Sequence, residues 1–380
     1  MDAGRMQRLD SLDGVRGLLA VYVLLGHMAP FAPLPQWLQD VASHGGAAVD
    51  LFFALSGLVI TQSLLRAGGR TAPFLIARAA RIFPVFLVAF AVAVAVAPLS
   101  CGFEFMPWIT ATSPVREICV STWPRAWLPE IVAHLTMTHG LIPDAVLPDV
   151  WVSFLGAAWS LSAEWQFYLV ALLAARQRGR LCWILMGLAV AGTAWRLAGP
   201  EAWQFSRAFL PNKGHFFALG VASLAVVRLE NGAWQRYGLV FAATVGICAT
   251  QGTFGKMVPP LVWTVFLAVQ VAPGAAAPRA VVAVLRSAVA RYLGSISYCL
   301  YLVNEPIHKI AAPALGWLAG GNGWLFTVLW IPVATGVPVA AAVWLHVYLE
   351  APAIRWGREV ARRFSAKGGV AIVQGRGRGV

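Results

Sequence analysis

The sequence predicts an all-α fold, a polytopic helical membrane protein of about ten transmembrane helices with both termini inside. Three observations carry this. The 380 residues are 59% hydrophobic and only 12% charged, against about 25% charged in an ordinary soluble domain. Apolar runs of membrane-crossing length recur along the chain. The 29 Lys and Arg residues fall mostly in alternate loops and in the C-terminal tail, a bias that places them on the cytoplasmic side only if the chain starts and ends inside. The formal net charge of +13 is therefore read as topology, with a modest attraction to anionic membrane lipid, and no nucleic-acid partner is expected. The five Cys are scattered without a CxxC pair, so no metal site is expected. The first apolar run lacks a small-residue cleavage site and is read as a retained helix.

Taken in order, a polar, basic lead (Met1–Leu12) enters a first span, Leu12–Pro30. Asp10 lies in the lead, the inner end of the span carries Asp13 and Arg16, and its apolar run ends on His27. Arg16 and His27 are eleven positions apart, ~16 Å of helix or about half a bilayer core. A Pro- and Gly-rich loop without Lys or Arg leads to the second span, Ala47–Leu65. Arg66, Arg70, Arg78 and Arg81 then precede the third, Ile82–Leu99. Ser100–Val152 is long, comparatively polar and rich in Pro and Trp. Its apolar piece Ile131–Thr138 is too short to cross and is expected to lie in the interface or to re-enter. The fourth span, Ser153–Ala175, closes on Arg176, Arg178 and Arg180. Spans five to eight (Leu181–Leu197, Gly214–Val227, Tyr237–Thr250, Pro259–Val271) are short. The ninth (Tyr292–Ala312) and tenth (Trp324–Leu349) complete a domain over residues 9–352. The basic tail, 353–380, is expected to be cytoplasmic and disordered. No internal repeat is evident.

Five motifs recur in a fixed order. Leu12, Asp13, Gly14 and Arg16 form an L-D-G-x-R run, and Arg16 with His27 an R-x10-H pair. The second span holds VDLFFALSGLVI, with Asp50, Phe52, Phe53, Ser56, Gly57 and Ile60. Arg78 and Arg81 make an R-x-x-R before the third span. The fourth contains WSLSAEWQFYL, with Glu164, Gln166 and Tyr168, and the ninth LGSISYCLYLVNEPI. This ordered set resembles the membrane acyltransferase-3 family of integral membrane O-acyltransferases. Leu58 stands where the family usually has Phe, Lys213 where it usually has Arg, and Asn304 where it usually has His. An amide takes no proton, so any acid or base role of that family His is absent here, and His308 one turn on is the candidate substitute. The resemblance implies acyl-CoA, most often acetyl-CoA, as donor substrate with no bound cofactor. It also implies a hydroxyl of a cell-envelope carbohydrate or glycolipid as acceptor, and an inner (plasma) membrane location.

Ionisable groups inside membrane spans are costly and mark function more often than packing. His27 is thus the candidate general base or covalent acyl carrier, with a buried structural histidine as the alternative. Asp50 starts the antiparallel second span near the expected depth of His27. It either orients the imidazole or caps its own helix. Glu164 is the third candidate catalytic group. Arg16, Arg78 and Arg81 gather at the inner face, where forked guanidiniums suit the phosphates of coenzyme A. Trp159, Ser160, Gln166, Tyr298 and Asn304 are the candidate substrate-binding residues. Asp13, Gly14, Ser56 and Gly57 are assigned structural roles, since Asp13 is ~21 Å along the helix from His27. Cys101 and Cys119 fall in the expected outer segment, either as free thiols or as a disulfide. A transporter or flippase for a lipid-linked sugar is the competing class, since short helices with intramembrane His and Glu also suit transport. An inactive binding relative is a third reading, drawn from Asn304.

Overall fold

The computed structural model describes residues 11–68, 70–174, 179–252, 254–271 and 276–375. The lead Met1–Asp10, Arg176 and Arg178, and the last five residues, all invoked in the charge bias, lie outside the described residues. The chain runs through α1 (Ser11–Met28), α2 (Gln36–Ala42), α3 (Gly45–Arg66) and α4 (Thr71–Val96). Two short helices follow, α5 (Pro114–Thr122) and α6 (Trp127–Leu135), then α7 (Trp159–Leu173), α8 (Leu181–Ala198), α9 (Leu210–Val227) and α10 (Ala233–Ala249). The last third holds α11 (Val258–Val271), α12 (Ala276–Leu285), α13 (Ala288–Ala319), α14 (Gly323–Leu345) and α15 (Ala351–Gly375). No strand occurs among the described residues, as expected of an all-α chain.

Six helical stretches are individually long and apolar enough to cross a membrane, and a seventh results if α12 and α13, bent by 53° at their junction, form one broken span. The expected ten spans are therefore not reached by length and composition. Helices α7, α9 and α10 occupy the positions of spans four, six and seven but are short, α7 having 15 residues, or ~22 Å against a ~30 Å core. α9 also carries Asn212, Lys213 and His215. The tail likewise departs from expectation. After a π-helical turn over His346–Glu350 the chain stays helical to Gly375 as α15, which lies along α4.

Backbone contact sets the helix pairs. α1 runs along α13, α3 along α9, and α8 along the other side of α9. A Cβ on Gly14 would collide with the Leu285 carbonyl, and one on Gly294 with the Asp13 carbonyl. Between α3 and α9, Gly57 meets the Phe217 carbonyl and Gly220 the Ala54 carbonyl in the same way. With little hydrophobic force between helices in lipid, such close backbone approach is a main source of association. Helix ends are marked locally. Ser287 accepts from the Ala290 N–H to cap α13, and Asn322 accepts from Trp324 and Leu325 to cap α14.

A second, smaller core closes one end of the bundle. There Phe103, Met106, Ile109 and Val115 cover Met28, Phe31, Phe326 and Trp330. The Trp330 indole donates to the Met28 carbonyl (3.0 Å) and the Trp108 indole to that of Phe31 (2.9 Å). Cys101 and Cys119 are joined by a disulfide, Cα atoms 6.0 Å apart, which resolves the alternative left open by the sequence. The segment Ile131–Thr138 forms the end of α6 and a turn, with His134 and His139 fully buried and their rings stacked 4.2 Å apart.

Two predictions follow from this packing. Gly57→Val should cost more than the ~1–3 kcal/mol of ordinary overpacking, because the obstacle is backbone. Gly238→Val, with nothing within 4 Å of its Cβ position, should be nearly neutral, and melting in detergent compares the two. The histidine pair supplies a pH dependence. His134 Nδ1 donates to the Glu130 carbonyl (2.9 Å) and His139 Nε2 to that of Ala158 (3.2 Å). Burial lowers both pKa values, that of His139 to about 4. Unfolded histidines take protons below about pH 6.5. The local stability is thus fully present above that pH and is lost as pH falls toward 4. Hydrogen exchange over residues 127–141 should speed up across that window, and a pH-independent exchange free energy would refute the assignment.

Candidate active site

His27 sits in the last turn of α1, at the disulfide end of the bundle. Its Nδ1 lies 2.6 Å from Asn304 Oδ1 on α13. The Asn304 amide nitrogen is committed to the carbonyls of Leu300 (2.7 Å) and Tyr301 (2.8 Å), so its oxygen faces the imidazole. An amide oxygen only accepts. Nδ1 therefore carries a proton, and in the neutral imidazole the lone pair is on Nε2.

The next turn of α13 anchors this arrangement. Glu305 accepts from the backbone N–H groups of Gly156 (3.0 Å) and Ala157 (2.9 Å), just before α7, and pairs with Lys309 at 2.8 Å. Lys309 also donates to Thr122 Oγ1 and to the Phe154 carbonyl, both at 3.1 Å. Phe154 adopts a left-handed conformation (φ 61°), a strained state for a bulky residue. Lys309 and the Phe154 N–H bond to the Thr122 carbonyl (2.8 Å) hold it there. His308 does not replace the missing family histidine. Its Nε2 donates to the Ala334 carbonyl (2.8 Å), and its ring packs between Phe31 and Trp330.

Asp50, expected either to orient His27 or to cap its own helix, lies inside α3, whose N-cap is His44, and is turned to another partner. Its Oδ1 pairs with Lys213 at 2.6 Å, both side chains nearly buried. Lys213 also lies over the rings of Trp159 and Phe216, and Arg207 stacks on Trp151 and Trp159. The reason is topological: α3 packs on α9, not on the last turn of α1 alone, and Lys213 enters from the first turn of α9. Gln166 is also structurally committed. It donates to the Ala208 carbonyl (3.0 Å) and Ser162 Oγ (3.2 Å), and accepts from the Leu210 N–H (2.9 Å). It thereby ties α7 to the start of α9.

The opposite end of α1 opens on a cavity of about 410 Å³. Arg16, Arg78 and Arg81 line it together, with Asp13, Ser56, Ser160, Glu164, Tyr168, Tyr298 and Tyr301. Arg78 donates to Ser63 Oγ (2.8 Å) and stacks near Phe74 and Tyr168. Glu164 accepts from Tyr168 OH (2.5 Å) and Ser56 Oγ (3.3 Å). It therefore belongs with the arginines, on the cavity wall, and not beside His27. Tyr298 donates to the Ile82 carbonyl (2.7 Å). At the inner end of the cavity Ser160 and Tyr301 share a 2.9 Å hydrogen bond, one turn of α13 before Asn304. His27 does not line the cavity; the Ser160–Tyr301 pair stands toward it. Among the described residues no group of His, Cys, Asp and Glu is placed to hold a metal ion.

The sequence reading missed the Glu305–Lys309 clamp, although an acid and a base at i,i+4 on an apolar helix is a legible signal. It also missed the direct His27–Asn304 bond, for which no local signal exists across 277 positions.

Comparison with known proteins places these features. The family model described as "Acyltransferase domain" matches residues 9–347. The acyltransferase MdmB of Streptomyces mycarofaciens is 28% identical, over 92% of this chain and 93% of its own. An O-acetyl transferase of Shigella phage Sf6 is 25% identical over 49% of this chain and 47% of its own. Protein 2 in the picA locus of Rhizobium radiobacter is 38% identical over 22% of this chain and 44% of its own. No solved structure matches. With the motifs in order and the model matching nearly the whole length, the chain belongs to the acyltransferase-3 family and is a membrane O-acyltransferase.

Proposed function

We propose that this enzyme takes an acyl group, acetyl first, from acyl-CoA at the cytoplasmic face and passes it to a hydroxyl of a cell-envelope carbohydrate or glycolipid. On this reading the arginine end faces the cytoplasm, both termini are inside, and the protein resides in the inner (plasma) membrane. The disulfide end then faces an oxidising exterior, where such bridges persist. The Shigella phage relative, named an O-acetyl transferase, favours an acetyl group and an oxygen acceptor.

One observation carries the reading: an imidazole with a fixed tautomer stands beyond the inner end of an arginine-lined cavity. The cavity offers guanidiniums for the phosphates of the donor, and on this reading the pantetheine arm extends from it past Ser160 and Tyr301 toward His27. Nε2 takes the proton from the acceptor hydroxyl as its oxygen attacks the thioester carbonyl. The ester C–O bond forms, the C–S bond breaks, and the proton passes on to the departing thiolate of CoA. Asn304 holds the Nδ1 proton throughout, in the role a carboxylate plays in a hydrolase triad, but without a charge. Glu305, fixed on the same helix, supplies negative charge nearby for the transient imidazolium.

His27→Ala should therefore lower turnover by ~10²–10⁴-fold, read as acceptor-dependent release of CoA thiol by purified protein, with the protein still folded. Normal turnover by that variant would sink the mechanism. Asn304→Leu should lower kcat by about tenfold or more and leave KM for acyl-CoA unchanged, because the base loses its orientation while the donor cavity is intact. Arg81→Gln should do the reverse, weakening acyl-CoA by roughly tenfold, the worth of one charge-assisted bond. An equal effect on 3′-dephospho-CoA would take the 3′-phosphate away from Arg81.

A further inference from the structure

The residues assigned so far to the arginine cavity all lie within the matched stretch, 9–347. Arg358 lies beyond it, on α15, and lines the same cavity as Arg16, Arg66, Arg78 and Arg81. We propose that Arg358 is a phosphate-binding residue of the donor site, and that α15 serves to bring it there. The proposal rests on the donor reading above and adds to it an element outside the family domain.

The position of Arg358 is built by three features. The π-helical turn His346–Glu350 redirects α14 into α15, and its last residue is pinned. Glu350 is buried and accepts from His346 Nδ1 (2.8 Å) and Cys299 Sγ (3.3 Å). Seven residues on, Gly357 is buried against α4. A Cβ there would overlap that of Ala80, so α15 can lie this close only because the residue is glycine. The stretch of α4 it touches is the one that carries Arg78 and Arg81. The register thus sets Arg358, next after Gly357, at the mouth of the cavity.

The charge is available for a ligand. On α15 the one acid near it, Glu359, is engaged by Arg363 (3.2 Å) and Arg362 (3.9 Å). Among the described residues no ion pair involves Arg358. In the cavity five guanidiniums (Arg16, Arg66, Arg78, Arg81, Arg358) face two carboxylates (Asp13, Glu164). Such an excess favours an anion at the cavity, and Arg is the side chain suited to bidentate phosphate binding. The nucleotide end of coenzyme A, with a diphosphate and a 3′-phosphate, supplies several negative charges on one molecule. An anionic lipid headgroup offers the same chemistry from the membrane side, so the test separates the two.

The full chain is placed in nanodiscs of phosphatidylcholine, and Kd is measured for CoA by calorimetry. Four forms are compared: wild type, Arg358→Gln, Arg81→Gln and Arg362→Gln, the last on the same helix but off the cavity. Arg358→Gln should weaken CoA by roughly tenfold, and Arg362→Gln by less than about twofold, as expected of an exposed surface charge. Gly357→Val, which pushes α15 off α4 with Arg358 intact, should reproduce the loss. If Arg358→Gln binds CoA like wild type while Arg81→Gln is weakened, the inference is overturned and the donor reading stands. If wild type itself neither binds CoA nor turns over acyl-CoA, the donor reading fails and the inference with it. A loss that appears only when phosphatidylglycerol is added to the disc would assign Arg358 to lipid and overturn the inference as well.

Discussion

The near-contact of α1 with α13 is the constraint on which the rest of the site depends. Gly17 against Ala290 and Gly294 against Asp13 let the two backbones touch. Side chains at matching depths of both helices are then brought together along their whole length. At one end this places Arg16 and Tyr298 on the same cavity, and at the other it brings His27 Nδ1 onto Asn304. A methyl group at either glycine would hold the helices apart, and the 2.6 Å bond is too short and too directional to survive that. The cavity and the imidazole are therefore two consequences of one interface.

Buried charges fix the remaining helices relative to this pair. A charge in the membrane interior is tolerated when it is paired and fully hydrogen-bonded. Glu305 meets two backbone N–H groups and Lys309, and Lys309 reaches Thr122 and Phe154. This locks α13 to the start of α7 and to the segment held by the disulfide. Asp50 with Lys213 does the same for α3 and α9, and Glu350 for α13 and the turn into α15. Removing one partner of such a pair leaves an uncompensated charge, which costs about 3–5 kcal/mol. These pins are thus more informative about register than the apolar contacts around them, which many sequences would satisfy.

Much of this was legible in the sequence. Composition and apolar runs gave the helical membrane class, and the motifs from Leu12 to Tyr301 gave the family. The arginines Arg16, Arg78 and Arg81 were grouped correctly because charge position along a span translates directly into depth. What failed was lateral placement. Asp50 was matched to His27 by depth, but depth does not say which neighbour a side chain faces, and Lys213 was nearer. Glu164 was set with the catalytic group, although it bonds Tyr168 and lines the cavity that Arg78 also lines. The helical tail was missed because its basic, Gly-containing composition looks solvated; only the contact of Gly357 with Ala80 reveals its packing. Length and composition fall short of the ten expected spans for a related reason. α7 and α9 are short and carry polar groups, and they are enclosed by other helices instead of facing lipid along their length.

On the proposed reading one donor-binding residue, Arg16, shares α1 with the base, His27. Arg16 and His27 are separated by a fixed helical rise of ~16 Å, not by a loop that can adjust. A donor gripped at the arginines can reach the base only through a long, narrow arm with its charge at one end and its reactive carbonyl at the other. Acyl-CoA under the proposed reading has that shape. Ser160 and Tyr301, which line the cavity, share a hydrogen bond, and the carbonyl of that same Tyr301 accepts from Asn304. One residue of α13 thus borders the cavity with its side chain and, through its backbone, helps hold the amide that faces the imidazole.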